Sequence, residues 1–526
     1  MLIGVRFLLL IPCLLGQTIA LVDSQRSSAS VDIRNGTVIG VNDESSQVQR
    51  VLGIPYAQPP VGDLRLRHAV PLNAFFGTLN AQSFGPACYG PELDSNPDSS
   101  EDCLSLNIWR PSGQIEVDAL RPVLVWFYGG GLQNGYTVRD CCYTTQMRPL
   151  PSRNYRLGPL GLLNGQQMAN LELLNLGMLD QRRALHWIQE NIAAFGGDPN
   201  KVTISGESAG AVSVYSHLMA YGGRDDRLFR AGILESGGAF PLTYANTSSF
   251  QETFDSLITD TSCTSFANAS AAEQLSCIRQ LPVQDFLSSV GSNTGQSIDG
   301  SFTETSIHFA LPAEKYVKVP MIVGTNTDEG TNSAPMRINT TEQLSVPLAD
   351  GFHRPTPLPN STVSTLLSLY PDDPRRGYKK ACSIFGDIVQ IGPARMIAQW
   401  LTRNNRDNKS PEYRYRFNHL PHDTDASNIA AGIGTGIEQR YVFSNLVPDH
   451  PWDRSLAYEI SSAWVPFAYG LDPDPGGEST LPEWPEYGTS GKSMVFRGCG
   501  SSIEEDTYRA ESVDYIIENV LPYGAL

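Results

Sequence analysis

The chain has 526 residues and a formal net charge of −17, with 55 acidic side chains against 38 basic ones. This acidic balance excludes nucleic acid as an expected partner, because its phosphates would be repelled. No repeat of fixed period, low-complexity tract or linker divides the chain, so we expect a single large domain over residues 21–526.

The amino-terminal segment has the pattern of a secretory signal peptide. Arg6 precedes an apolar run from Phe7 to Leu15, and small residues stand at positions 18 and 20. We therefore predict a signal peptide over residues 1–20 and a secreted protein. No later stretch approaches the 18 apolar residues of a membrane span, so no stable membrane anchor is predicted. Six Asn-x-Ser/Thr sequons agree with a secreted glycoprotein, at Asn35, Asn246, Asn268, Asn339, Asn360 and Asn408.

The cysteines do not form a metal or redox motif. None of them has Cys-x-x-Cys spacing. The chain also lacks any other metal-ligand pattern and any nucleotide-binding loop, so we expect neither a metal nor a cofactor. Without Cys13 of the signal peptide, eight cysteines remain: Cys88, Cys103, Cys141, Cys142, Cys263, Cys277, Cys382 and Cys499.

The first strong strand signal is the continuous apolar run Pro122–Tyr128, which is typical of a central strand covered on both faces. It leads directly into Gly129, Gly130 and Gly131. An amphipathic helix follows over residues 177–195 and is ended by Gly-Gly-Asp-Pro. Strands that alternate with helices predict an α/β fold with a mostly parallel sheet, in which functional residues gather beyond the carboxyl ends of the strands.

The most informative motif is Gly-Glu-Ser-Ala-Gly at residues 206–210. It follows a β-branched run at residues 201–205 and precedes a helix-prone stretch at residues 209–220. A strand, a sharp turn and a helix are the context that a nucleophile elbow requires, so Ser208 is predicted to be a nucleophile. Acyl transfer also needs N–H donors for the oxyanion, and we predict the backbone amides of Gly130, Gly131 and Ala209 for that role.

Two further strands deliver polar residues to the same predicted edge. Residues 319–324 lead to Asp328-Glu329-Gly330, and residues 413–417 lead to His419 and His422. A serine hydroxyl needs a base to remove its proton and an acid to orient that base. Both segments lie beyond strand ends, where the functional residues of such a sheet gather.

Together the motifs resemble the type-B carboxylesterase family, which includes secreted fungal lipases and the cholinesterases. The resemblance covers nearly all of the mature chain. It implies an α/β-hydrolase fold with a mostly parallel central sheet flanked by helices, a Ser-Glu-His triad and hydrolysis of small-molecule or lipid carboxylic esters. The motifs that carry it lie at residues 102–111, 154–158, 180–182, 195–199 and 206–210.

By motif position, the resemblance implies that Ser208 is the nucleophile and Glu329 the triad acid. It also implies two loop disulfides, Cys88–Cys103 and Cys263–Cys277, and both pairs have the short spacing of local loops. The pairing of the other cysteines, the ester that is cleaved and the oligomeric state stay open.

The chain departs from the family pattern at the base. The family has a segment that resembles Gly-x-x-His-x-x-Glu, followed by a strand, and here Thr435 takes the place of the histidine between Gly432 and Glu438. A threonine hydroxyl cannot act as a base at neutral pH as an imidazole can. The late region offers His419, His422 and His450, of which His422 is our preferred substitute. The alternative hypothesis is a catalytically impaired, esterase-like binding or adhesion protein.

A second departure precedes Asn154. The family has a strand there, whereas this chain has Pro149 and Pro151, which we expect to break a central strand. Either the region is degenerate or the gene model misplaces an exon boundary within residues 135–160. Under the second hypothesis the chain is a defective version of an active enzyme.

Overall fold

A computed structural model describes residues 28–44, 46–72, 74–90, 98–112, 120–135, 150–237, 246–291, 293–331, 334–335, 338, 340–349, 357–371, 377–405, 409–424, 432–446, 450–474, 476 and 480–524. The predicted signal peptide at residues 1–20 lies outside the described residues. So do Cys141, Cys142, His353 and the sequons at Asn339 and Asn408.

A mixed sheet of 13 strands forms the centre of the described part of the chain, in the order β1-β2-β3-β7-β9-β8-β10-β11-β12-β13-β14-β15, with β4 beside β2. The strands β5 and β6 form a separate pair. Their bounds are β1 Ser28–Ile33, β2 Gly36–Asp43, β3 Val48–Pro55, β4 Thr78–Asn80, β5 Ala87–Cys88, β6 Ser99–Ser100, β7 Ser105–Pro111, β8 Arg121–Phe127, β9 Leu150–Arg153, β10 Gly197–Glu207, β11 Ala231–Glu235, β12 Met321–Asn326, β13 Glu412–Phe417, β14 Lys492–Phe496 and β15 Ser502–Glu505.

The centre of the sheet is parallel, and most pairings towards its edges are antiparallel. Neighbouring strands from β8 through β10, β11, β12 and β13 to β14 all pair in parallel. The four strands predicted from the sequence are therefore present as β8, β10, β12 and β13. Because they run in the same direction, their carboxyl ends meet at one edge of the sheet.

Helices cover the sheet, and no helix among the described residues is long and apolar enough to cross a membrane. Their bounds are α1 Gly158–Leu162, α2 Gln166–Asn170, α3 Leu176–Asn191, α4 Ala209–Gly223, α5 Gln251–Thr259, α6 Ala271–Gln280, α7 Val283–Ser288, α8 Ile307–Ala310, α9 Thr341–Ala349, α10 Asn360–Ser368, α11 Gly377–Gly386, α12 Gly392–Asn404, α13 Gln439–Val442, α14 Pro451–Gly470, α15 Tyr487–Ser490 and α16 Ala510–Asn519.

The predicted helix over residues 177–195 is present as α3 and a 3₁₀ turn at Ile192–Phe195. Its apolar face is buried: Leu185, Ile188 and Ile192 are each at most 1% exposed. The chain leaves the helix at Gly196, whose φ of +80° is left-handed and suits glycine.

The two faces of the sheet carry separate hydrophobic cores, because side chains alternate along each strand. On one face Val125 and Ile204 belong to the same cluster as Leu185 of α3. On the other face Trp126 and Tyr415 join Trp464 of α14, with ring centroids 5.3 Å apart between Tyr415 and Trp464.

The expectation that prolines exclude a strand before Asn154 is wrong. Residues Leu150–Arg153 form β9, which pairs antiparallel with β7 at four positions. Pairing with β8 on the other side is limited to Trp126 and Ser152. The ladder between β9 and β8 is therefore very short. This is expected for a segment that contains Pro151, because proline lacks the N–H that a second ladder would use.

Both implied disulfides are present, Cys88–Cys103 and Cys263–Cys277. Of the remaining described cysteines, Cys382 is free and buried and Cys499 is free and exposed. The sequon residue Asn35 is largely buried in this fold. Its side chain is 7% exposed, and its amide nitrogen, the atom to which a glycan attaches, donates to the Leu72 carbonyl oxygen at 2.6 Å.

Candidate active site

Ser208 stands at the sharp turn between β10 and α4. Its φ of +53° and ψ of −120° are a strained conformation for a residue with a side chain. Its backbone N–H donates to the Glu235 carbonyl oxygen at 3.0 Å, which ties the turn to the end of β11. This is the backbone geometry of the predicted nucleophile elbow.

Glycines on both sides of Ser208 are required by close packing. A Cβ at Gly210 would lie 2.0 Å from the Phe127 carbonyl oxygen, and one at Gly206 would lie 2.4 Å from the Gly210 carbonyl carbon. Only glycine, which has no Cβ, fits at these two positions, and it allows the elbow to pack directly against the end of β8.

The loop after β8 lies against the nucleophile. A Cβ at Gly129 would be 3.2 Å from the Cβ of Ser208. The next two residues have left-handed backbone, with φ of +101° at Gly130 and +66° at Gly131. Among the described residues, the N–H groups of Gly130, Gly131 and Ala209 have no hydrogen-bond acceptor. They are therefore available to an oxyanion, and their role as an oxyanion hole stays a prediction.

Glu329 lies beyond the end of β12 and is fully buried, with 0% exposure. The Asn326 N–H donates to its Oε1 at 2.6 Å, and its Oε2 lies 2.7 Å from the Thr435 hydroxyl. Burial, and next the nearby Glu438 carboxyl, raise the pKa of Glu329 to about 8. Burial therefore favours the protonated form of this side chain.

The hydrogen bonds around Thr435 fit a protonated Glu329. The Thr435 hydroxyl has one hydrogen and two lone pairs, and its oxygen lies 2.7 Å from both Oε2 and the carbonyl oxygen of Glu329. Gln390 Nε2 donates to it at 3.3 Å. All three contacts are satisfied when Thr435 donates to the Glu329 carbonyl oxygen and the Glu329 carboxyl group donates to Thr435. We infer that a threonine and a neutral acid form a closed pair where the family pattern has an imidazole and a carboxylate.

The segment that carries Thr435 lies beside the elbow. A Cβ at Gly436 would be 3.0 Å from Glu207 Oε1, and Glu207 directly precedes Ser208. The residues that follow form the short helix α13, Gln439–Val442, rather than the strand that the family resemblance implied. The structure thus brings Ser208, the glycine loop, Glu329 and Thr435 to one edge of the sheet.

Two further carboxyl groups are buried near this edge. Glu438 accepts from the Ser236 hydroxyl at 2.6 Å, and Glu235 accepts from the Trp464 indole nitrogen at 2.8 Å. Burial raises the pKa of both groups, and the Glu438 carboxyl adds to the effect on Glu235. Sequence reasoning did not assign a role to Glu235, although its place at the end of β11 could have indicated one.

His422, the preferred substitute base, pairs with a different acid. Its Nδ1 lies 3.3 Å from Asp453 Oδ1, and its ring stacks on His450 with centroids 3.5 Å apart. His419 Nε2 also contacts Asp453 Oδ1, at 2.6 Å. His422 is therefore paired with Asp453, and Thr435 makes the hydrogen bond to Glu329 that the histidine of a triad would make. A role for His422 as base stays a prediction.

The buried Glu329 should make the protein more stable at acidic than at alkaline pH. In the folded chain this carboxyl keeps its proton up to about pH 8, whereas in the unfolded chain it loses the proton near its ordinary value of 4.5. Its stabilising contribution is therefore complete below about pH 4.5 and is lost as the pH rises to about 8.

Urea unfolding of the wild type and of Glu329→Gln across this pH interval measures the effect. The free energy of unfolding should fall less steeply with pH in the variant. Glu505→Gln is the matched control, because the Glu505 side chain is 61% exposed. Parallel profiles for wild type and Glu329→Gln would contradict the raised pKa.

Comparison with known proteins identifies the family. The model of the carboxylesterase family matches residues 27–515, which is nearly the whole chain. The chain belongs to the carboxylesterase family. The family resemblance predicted from the motifs is thereby confirmed, and the assignment to the carboxylic ester hydrolases rests on it together with the relatives.

Several relatives of this carboxylesterase are named as lipases. "Secreted lipase 1" of Botryotinia fuckeliana is 30% identical over 563 residues, with 95% of this chain and 94% of the relative covered. "Lipase 1" of Geotrichum candidum is 30% identical over 570 residues, with 95% and 97% covered. The crystal structure of Aspergillus niger EstA superposes with a TM-score of 0.83 at 27% identity and covers 95% of this chain and 99% of EstA. These matches confirm the predicted α/β-hydrolase fold.

Proposed function

We propose that this carboxylesterase is a secreted hydrolase that cleaves carboxylic esters of small molecules or lipids through an acyl-enzyme on Ser208. The strained backbone of Ser208, in an elbow flanked by three N–H groups that have no acceptor among the described residues, is the observation that carries the proposal. The names of the secreted fungal lipases support both secretion and a lipid-like ester.

In this mechanism the Ser208 hydroxyl attacks the ester carbonyl, and the N–H groups of Gly130, Gly131 and Ala209 stabilise the oxyanion. Expulsion of the alcohol leaves an acyl-enzyme, which water then hydrolyses to release the acid. Glu329 occupies the position of the triad acid.

The proton of Ser208 lacks the usual acceptor, because Thr435 holds the place of the imidazole. We therefore propose slow turnover in which this proton passes to solvent. A positioned general base contributes about 10²–10⁴-fold to the rate, so without it the activity that depends on Ser208 should be weak but measurable.

Hydrolysis of p-nitrophenyl butyrate by the secreted protein tests this proposal. We expect turnover that is lost in Ser208→Ala and retained in His422→Ala, with both variants folded by circular dichroism. Turnover that survives in Ser208→Ala would exclude Ser208 as the nucleophile. Loss of turnover in His422→Ala would instead establish His422 as the base.

The closed hydrogen bond between Thr435 and Glu329 also favours a second candidate, an esterase-like protein that binds rather than cleaves. This candidate predicts that the wild type hydrolyses no more ester than Ser208→Ala. It also predicts that the wild type binds a non-cleavable ether analogue of the substrate in calorimetry. Efficient turnover by the wild type would exclude it.

A further inference from the structure

Two imidazoles and a carboxylate converge where the turn after β13 meets the first turn of α14. His419 Nε2 and His422 Nδ1 lie 2.6 and 3.3 Å from the same oxygen, Asp453 Oδ1. One ligand atom from each of these three residues lies within 4.8 Å of the other two. The group was not visible in the sequence as a ligand pattern, because Asp453 is 31 residues from His422 and 34 from His419.

The carboxylate is prepared to carry a negative charge. Asp453 is 2% exposed. Its Oδ1 accepts from the Tyr441 hydroxyl at 3.0 Å and lies 2.6 and 3.3 Å from His419 Nε2 and His422 Nδ1, and its Oδ2 accepts from the His422 backbone N–H at 3.2 Å. Hydrogen-bond donors thus surround a buried carboxylate, which is a good oxygen ligand for a metal ion.

On the opposite side the group is open. The side chain of His422 is 33% exposed, whereas that of His419 is 11% exposed. The ring of His450 stacks on His422 and supports its orientation from outside the group. A bound ion would therefore have room for a water molecule as its fourth ligand.

We propose that His419, His422 and Asp453 form a binding site for a divalent transition-metal ion such as Zn²⁺. Two imidazole nitrogens, one carboxylate oxygen and a water are an ordinary tetrahedral ligand set for zinc. Bonds of about 2.0–2.1 Å place tetrahedral ligand atoms about 3.3 Å apart, which is the spacing between His422 and Asp453. The contact between His419 and Asp453 would have to open by about 0.7 Å, with the metal replacing the shared proton.

The position of the site indicates a structural role for the ion. It would join the turn after β13 to α14 through Asp453, which also accepts from the Tyr441 hydroxyl at 3.0 Å. Tyr441 belongs to α13, which directly follows the segment of Thr435 and Glu438. Metal binding should therefore stabilise this part of the active-site edge against thermal unfolding.

Zinc titration of the full-length secreted protein, after removal of metal with EDTA, tests the site. Isothermal titration calorimetry should show one equivalent of Zn²⁺. Co²⁺ should give the visible absorption bands of a tetrahedral site. We compare the wild type with His422→Ala and Asp453→Asn, and use His68→Ala as the control because His68 is an exposed histidine that contacts the Glu172 carbonyl oxygen instead.

We expect His422→Ala and Asp453→Asn to weaken Zn²⁺ affinity by about 10–100-fold or more and to abolish the cobalt bands, whereas His68→Ala binds as the wild type does. Zinc should raise the thermal midpoint of the wild type but not of His422→Ala. If Asp453→Asn does not fold, the comparison of the wild type with His422→Ala still tests the proposal, because the His422 side chain is 33% exposed and its removal should leave the fold intact. Absence of zinc binding in the wild type, or equal binding in His422→Ala, would overturn the proposal.

Discussion

Replacement of Thr435 by histidine should raise kcat/KM for p-nitrophenyl butyrate by about 10²–10⁴-fold, the usual contribution of a positioned general base. Thr435 Oγ1 already lies 2.7 Å from Glu329 Oε2, so the side chain at this position points at the acid. An imidazole there could take the proton of Ser208 and be oriented by Glu329.

The new imidazole should also favour the ionised form of Glu329, which supports the gain in rate. Burial, and next the nearby Glu438 carboxyl, raise the pKa of Glu329 to about 8. An imidazolium that forms during the reaction would favour the ionised carboxylate. The gain should therefore increase with pH through about 6.5, where an ordinary histidine loses its proton.

Three controls separate a new base from a general effect of the substitution. Thr435→Val removes the hydroxyl without adding a base and should give no comparable gain. Thr435→His combined with Ser208→Ala should be inactive, and combined with Glu329→Gln it should lose most of the gain, because the imidazole is no longer oriented. A folded Thr435→His protein with unchanged kcat/KM would contradict the assignment of position 435 as the vacant base position.

The second large effect concerns stability. Asp180→Ala should lower the free energy of unfolding by about 3–5 kcal/mol, as expected when one partner of a buried ion pair is removed. Arg156 Nε and Nη2 each donate to Asp180 at 2.7 Å, and the Arg156 backbone N–H adds a third bond at 3.1 Å. The two side chains are only 4% and 0% exposed, so the guanidinium that remains would lack both water and a counter-charge.

The comparison is with an exposed ion pair in the same protein. Lys492 and Glu505 are 3.6 Å apart and 43% and 61% exposed, so Glu505→Ala should cost at most about 1 kcal/mol. Urea unfolding of both variants measures the difference. A second variant, Arg156→Met with Asp180→Leu, should regain part of the loss, since an apolar pair leaves no buried charge. Equal stability of Asp180→Ala and Glu505→Ala would contradict the prediction.

Much of the fold followed from local patterns. The apolar run of β8, the β-branched run of β10 and the amphipathic face of α3 lie in the structure where the sequence predicted them. In each case neighbouring residues alone decide which element forms and which side is buried. The segment at β9 is the exception, because pairing with β7 outweighed the local effect of Pro151.

The same contrast holds for the site. Ser208 and its glycines form one continuous motif, so the elbow could be predicted, and the order of the strands then places Gly129, after β8, against Ser208. Partners that are distant in sequence could not be predicted in this way.

The sequence by itself therefore determined the family motifs, the elbow at Ser208 and the replacement of the expected histidine by Thr435. The tertiary structure alone decided that Thr435 closes on Glu329, 106 residues away, and that His422 joins His419 on Asp453. The physical reason is that local patterns specify strands, turns and helices. Contacts between side chains at different strand ends depend on how those elements pack in three dimensions.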